Sequence, residues 1–341
     1  MRNVPPLGRM RRGILIGVSA VAVVAALSAC SGGNNSSGGS TTPAASSADP
    51  HSPELSEIKV TGILSPGAIP VAVAAAEYAP KYGLTIQFVP SDNSGIAVTQ
   101  VVSGDAASAN TSYFGVIDAI NQGLPLEVIA EGWASKPGTA MLEALPSSGI
   151  TELKDLIGKK VNVISLTSSH AIKLRASMLA QGLDPDKVDW VELPYGEVAA
   201  ALQQGTVDAS SATGTSLAAV QKMGAVTVFD YGAEPYQGMA ESGFVSSQDF
   251  VSRYPNTIAA LQCSIFAAQG ALMADRSLYN QYFQSFLNAP AAAAEADVIL
   301  DFQTTNRIDA LNRNIEVYSD SGLLSQKFDF AEHTVPAPSN C

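Results

Sequence analysis

Apolar and polar positions divide the chain into three regimes. Residues 13–27 are an uncharged apolar run. At about 15 residues it falls short of the roughly 20 that span a bilayer and suits the apolar centre of an export signal. Residues 31–56 have no period, are rich in Gly, Ser, Asn, Thr, Pro and Ala, and lack Phe, Trp and Tyr. Such a composition buries too little apolar surface to order itself and predicts a flexible tether over 30–56. From residue 57 onward, strand and helix periods alternate. Residues 58–64 and 84–89 read as strands, and 65–67 as a loop. Residues 70–78 read as a helix with Pro70 in its first turn, the turn that tolerates proline. A loop of turn formers over 90–95 opens a helix over 96–102 that ends near Gly104, and a strand of small residues over 107–111 leads to Ser112 and Tyr113.

The same phrase then recurs. Residues 160–164 repeat the first strand, 165–169 its loop, 170–181 a helix, 188–193 the second strand and 194–197 its loop. A helix over 198–204 ends at Gly205, and 207–210 form a strand leading to Thr213. Lys59 and Lys160, Gly104 and Gly205, and Ser112 and Thr213 each stand 101 residues apart. Several elements in one order at one offset predict two similarly built lobes. Between the copies lies a strand containing Trp133; after them come a strand over 226–229, a return strand over 243–245 and a helical remainder. The expected organisation is a signal peptide over 1–29, the tether over 30–56, lobe I over 57–135, lobe II over 136–235 with hinge crossings at its ends, and lobe I again over 236–341. The fold class is α/β, each lobe a doubly wound, mostly parallel sheet with helices on both faces.

Charge changes the picture mainly at the N-terminus. Arg2, Arg9, Arg11 and Arg12 precede the apolar run with no acid among them, and the run ends in Leu27-Ser28-Ala29-Cys30. This resembles the bacterial lipobox, whose cysteine is lipidated and becomes the mature N-terminus. The resemblance implies a protein held by lipid on Cys30 to the outer face of the bacterial cell membrane. The whole chain has a formal net charge of −12 and no clustered basic face, which counts against nucleic acid as a partner. With Cys30 lipidated, Cys263 and Cys341 remain; in an oxidising compartment they form a bridge or stay as two thiols. His51, His170 and His333 are scattered without metal-ligand spacing, so no metal or cofactor is expected.

Several phrases carry a resemblance over about 58–301: Lys81-Tyr82-Gly83-Leu84, Val102-Ser103-Gly104-Asp105, Gln122-Gly123-Leu124-Pro125, residues 153–161 (Leu-Lys-Asp-Leu-Ile-Gly-Lys-Lys-Val) and residues 201–209. In this order the chain resembles the periplasmic binding proteins of the nitrate, sulfonate and taurine ABC importers, including relatives that bind thiamine precursors. The resemblance implies a two-lobed, type II Venus-flytrap fold, a small-molecule ligand captured between the lobes, an ABC permease and its ATPase as partners, a monomer, and no catalysis. One departure matters. Many relatives place a Trp-Glu-Pro turn where this chain has Ala212-Thr213-Gly214-Thr215, so their ligands do not transfer directly. Other readings are a lipoprotein that presents its ligand to a membrane signalling partner, and a pyrimidine-synthase-like enzyme on the same fold. The cysteine-rich motif of those synthases is absent, as is any Ser-His-Asp set.

In parallel sheets ligands bind beyond the carboxyl ends of the strands. Five loops, after residues 64, 89, 111, 164 and 212, therefore converge and offer Ser65, Pro66, Gly67, Ser91, Asp92, Asn93, Ser112, Tyr113, Thr167, Ser168, Thr213 and Thr215. Tyr195 from the 194–197 loop and Trp133 from the crossing strand join Tyr113 as rings that could stack on a ligand. Hydroxyls and helix N-termini supply neutral donors suited to an anion or a hydrogen-bonding ring. Each polar residue is equally explained as a cap or turn former, Trp133 as packing under the hinge, and His170 as a packing residue. No Lys or Arg falls in these loops while Asp92 and Glu197 do, which leaves the ligand's charge open.

Overall fold

The structure, a computed structural model, describes residues 48–341. The expected signal peptide, Cys30 and the tether up to residue 47 lie outside the described residues. Residues 48–56, which composition assigns to the tether, are instead docked. The Asp49 N–H donates to Asn256 Oδ1 (2.8 Å), Asn256 Nδ2 donates to the Ser52 carbonyl (3.0 Å), and the Glu54 carboxylate accepts from the N–H groups of Asn256 (3.0 Å) and Thr257 (2.7 Å). The partners lie about 200 residues away in sequence, beyond the reach of a compositional argument.

Eleven strands are described: β1 (Glu57–Ile63), β2 (Thr85–Ser91), β3 (Ser108–Ser112), β4 (Leu126–Ala134), β5 (Ala140–Ala144), β6 (Lys160–Val163), β7 (Asp189–Glu192), β8 (Ala209–Thr213), β9 (Val226–Asp230), β10 (Ala240–Ser247) and β11 (Asp301–Phe302). The helices are α1 (Ile69–Val73), α2 (Ser94–Val102), α3 (Tyr113–Asn121), α4 (Ser169–Ala180), α5 (Val198–Gln204), α6 (Gly214–Lys222), α7 (Gln248–Arg253), α8 (Pro255–Ala274), α9 (Arg276–Leu287), α10 (Ala291–Ala296) and α11 (Ile308–Asp320). The strands form two sheets, ordered β11-β4-β10-β3-β1-β2 and β7-β6-β8-β5-β9. In the first, β1 to β4 run one way and β10 and β11 the other; in the second, only β5 opposes its neighbours. Both β5 and β10 are strands that have just crossed from the other lobe, and each is paired on both sides in the sheet it enters, so each crossing is locked in place. At the crossing itself Ser135 and Gly238–Met239 exchange backbone hydrogen bonds of 2.8 Å.

The 101-residue repeat is visible in register. Val60 pairs with Ser108 in β1–β3 and Val161 with Ala209 in β6–β8. The Ala107 N–H donates to the Lys59 carbonyl, and the Asp208 N–H to the Lys160 carbonyl. Alternation along the strands builds a core on each face. In β10, Phe244 packs into the cluster with α1, α8 and α9, whereas Val245 joins α2, α3 and α11 on the other face. In β5, Leu142 meets α4 and Met141 meets α5 and α6. Helix α8 is long and apolar enough to cross a membrane, but it is the buried central helix of the first lobe. Its Cys263 is disulfide-bonded to Cys341, with Cα atoms 5.1 Å apart, tying the last residue of the chain to that core.

Candidate functional site

The carboxyl ends of β1, β3, β6 and β8 face one another across the gap between the sheets and enclose a cavity of about 80 Å³. A second, more open chamber of about 320 Å³ adjoins it and shares Ser65, Pro66, Tyr195 and Thr213 as a common wall.

Helices radiate from the inner cavity. Asn93, Ser112, Ser168 and Thr213 are the N-caps of α2, α3, α4 and α6, two helices from each lobe. Ser94, Ser112, Ser168, Ser169 and Thr213 line the cavity, so four helix N-termini open on it. Each carries roughly half a positive charge, which favours an anion without any free cation. Three side chains complete this wall. Asn110 Nδ2, Thr111 Oγ1 and Ser242 Oγ have no partner within the protein, belong to residues at most 9% exposed, and come from cavity-lining residues. A buried polar group without a partner costs about 1–3 kcal/mol, so these three face the cavity with hydrogen bonds left to give to whatever fills it, water included.

The opposite wall is ionic but neutral in sum. Glu241 lines the cavity and pairs with Lys173, which lies fully buried behind it. The carboxylate also accepts hydrogen bonds from Ser135 (2.5 Å) and Ser169. Burial, the largest single influence, would raise the Glu241 carboxyl, but Lys173, His170 and the hydrogen bonds from Lys173 and Ser135 together hold it below the ordinary value. His170 is buried next to the pair, stacked on Tyr231 (ring centroids 4.5 Å), with Nδ1 3.4 Å from the Tyr195 hydroxyl. Burial, more than the opposing pull of Glu241, pushes its pKa down to about 4.

Of the residues expected from sequence, Ser65, Pro66, Gly67, Ser112, Trp133, Ser168, Tyr195 and Thr213 line the inner cavity. Ser91, Asp92 and Thr215 line the outer chamber. Trp133 Nε1 lies so close to Gly67 that a Cβ there would approach it to 2.7 Å, so this contact needs glycine. Asn93 lines neither chamber; its side chain caps α2 by accepting the Ile96 N–H (3.0 Å). Two further expectations need correction. Tyr113 is fully buried against Phe330 and passes under Gly243, because the first turn of α3 directs it into the core. Thr167 lines neither chamber, and its hydroxyl lies 3.5 Å from that of Ser165.

Sequence reasoning missed Ser94, Asn110, Thr111, Ser169, His170 as a lining residue, Glu241 and Ser242. Asn110 and Thr111 had a usable signal, being polar side chains in a strand otherwise small enough to be wholly buried. Glu241 and Ser242 had none, because their position depends on β10 inserting between β3 and β4.

The profile of the NMT1/THI5-like family matches residues 66–275. The taurine-binding periplasmic protein of Escherichia coli (strain K12) is 27% identical over 225 residues, 65% of this chain and 69% of that protein. The alkanesulfonate-binding protein SsuA of Xanthomonas axonopodis pv. citri, solved bound to MOPS, has a similar structure with a TM-score of 0.70 and 16% identity, covering 83% of this chain and 99% of its own. The periplasmic nitrate-binding protein NrtA of Synechocystis PCC 6803 gives a TM-score of 0.62 at 16% identity, covering 71% and 69%. These likenesses show the two-lobed periplasmic-binding-protein fold.

Proposed function

The chain belongs to the NMT1/THI5-like family, and from that premise we propose that it is the solute-binding component of an ABC importer that captures a small oxyanion, of the sulfonate or nitrate kind, between its lobes. It hands this ligand to a membrane permease driven by an ATPase. The protein is exported, carries lipid on Cys30, and acts as a monomer at the outer face of the cell membrane. It binds and does not catalyse, in keeping with relatives that are binding proteins; the one cavity-lining carboxylate, Glu241, is engaged by Lys173, Ser135 and Ser169.

The observation that carries the reading is the inner cavity, with three buried donor groups lacking protein partners and four helix N-termini, two from each lobe. Each lobe offers only part of this set, so a ligand that uses all of it favours the closed state. A thermal-shift panel of alkyl sulfonates, taurine, nitrate, sulfate and pyrimidines tests it. A true ligand at about 100 times its Kd stabilises by about 2.7 kcal/mol. A shift with an oxyanion supports the reading, whereas a shift only with an uncharged pyrimidine overturns it.

A further inference from the structure

Among the described residues, Glu241 is the one ionised side chain lining the inner cavity. Its partners leave little of it available. Ser169 donates to one carboxylate oxygen, and Ser135 and Lys173 to the other. Lys173 is equally committed, since its three protons meet Glu241, Ser135 Oγ (2.7 Å) and the Tyr231 carbonyl (3.0 Å). Lys173 comes from α4 in the second lobe and Glu241 from β10 in the first, so both lobes contribute to the pair.

We infer that Lys173 takes the place of a ligand's own cation: the inner cavity accepts an oxyanion whose adjoining part is uncharged and discriminates against one that carries an ammonium. The inference rests on the oxyanion reading of the cavity. An ammonium brought in beside the oxyanion loses its water and finds the lining carboxylate already neutralised, and a buried charge without a partner is costly. The four helix N-termini that favour the anion oppose the cation. His170, neutral and hydrogen-bonded to Tyr195, offers no negative charge. The other acid on the cleft, Asp92, lines only the outer chamber and is exposed there, where solvent weakens an ion pair.

Propane-1-sulfonate and taurine are matched probes, equal in length and differing by a methyl group in place of an ammonium. Titration calorimetry on the purified protein should find propane-1-sulfonate tighter by about tenfold or more. Taurine binding equally or more tightly would overturn the inference while leaving the oxyanion reading intact. Failure of both probes, of longer sulfonates and of nitrate would remove the oxyanion reading and the inference with it. Lys173→Met leaves Glu241 without its internal cation, so the ratio should move toward taurine by about tenfold; an unchanged ratio in the folded variant would also count against the inference. If that variant does not fold, the ratio in the unmodified protein still decides.

Discussion

Ser112 and Thr213 hold equivalent positions in the two lobes, each ending the third strand of its copy, capping the helix that follows and lining the inner cavity from its own side. Thr213 Oγ1 donates to the Thr139 carbonyl (2.7 Å), whereas Ser112 Oγ accepts the Phe114 N–H (3.3 Å) and keeps its own proton to give. The repeat therefore aims two helix N-termini at one cavity, and polar groups with no partner in the protein come from its neighbours Asn110, Thr111 and Ser242.

Thr111→Val and Ser242→Ala each remove a hydroxyl that has no partner in the protein. A hydrogen bond to a ligand is worth about 0.5–1.5 kcal/mol, and up to about 3 when the ligand group is charged. Each variant should bind several-fold to about a hundredfold more weakly, with the unliganded melting temperature unchanged or higher. Thr167→Ala, whose hydroxyl faces Ser165 and not the cavity, should bind normally. Calorimetry on all three checks this, and equal affinities throughout would move the ligand elsewhere.

Cys30→Ala should shift the protein from the membrane fraction to the soluble fraction, because a lipobox without its cysteine accepts no lipid. Fractionation after expression in a bacterial host reads the outcome directly. Retention of the variant in the membrane fraction would show another anchor.

Cys341→Ser opens the bridge that closes a segment of 78 residues. Chain-entropy arguments put the loss at about 4.5 kcal/mol for a loop of this length, against roughly 2–4 kcal/mol for typical bridges. Neither cysteine lines the inner or the outer chamber, so ligand affinity should stay within about twofold once the protein is folded. Denaturant unfolding with and without reductant gives the first number, and calorimetry the second.

His170 gives a pH signature with a definite sign. Its pKa in the fold, about 4, lies below the ordinary 6.5. Between these values the unfolded chain takes up a proton that the folded chain refuses, so this residue's contribution to stability is present above 6.5 and lost as pH falls toward 4. His170→Gln should lose less stability than the unmodified protein on going from about pH 7.5 to about pH 5. Ligand affinity should be flat from about pH 5.5 to about pH 8, because the imidazole stays neutral throughout. Chemical denaturation at the two pH values, and titrations across the range, test both halves.

Much of this architecture was legible because it is written in local and periodic signals. Gly104 and Gly205 both adopt positive φ (83° and 68°) just beyond α2 and at the end of α5, and such a conformation favours glycine whatever the tertiary setting. Seven of the expected cavity residues follow from the loops at strand ends, and Trp133 from the crossing strand. What escaped was long-range. The Glu241–Lys173 pair joins residues 68 apart on different lobes, and Glu54 reaches α8 across about 200 residues. Asn93, Tyr113 and Thr167 fall outside both chambers for another reason: a strand end places a residue near the cleft, while the helix or turn that follows decides where its side chain points.

Gly214 tests whether the lobes must touch to hold the ligand. It opens α6 in the second lobe at φ 50°, and a Cβ there would come within 2.7 Å of Pro66 Cγ from the first lobe. Carbon atoms pack at about 3.5–4.0 Å, so Gly214→Ala drives a wedge of about 1 Å between the lobes at the wall shared by the two chambers. It also strains the backbone by about 1–2 kcal/mol, a cost that says nothing about closure. Gly205→Ala supplies the control, since Gly205 has a similar positive φ (68°) and nothing within 4 Å of an added Cβ. Both variants should melt at lower temperature, but only Gly214→Ala should lose affinity, by about tenfold or more, and stay more open in small-angle scattering with ligand present. Gly214→Ala combined with Pro66→Ala should recover part of that loss, because the far side of the contact has been trimmed. Equal affinities in Gly214→Ala and Gly205→Ala would mean that the Pro66–Gly214 contact plays no part in retention, and that the ligand is held without full closure.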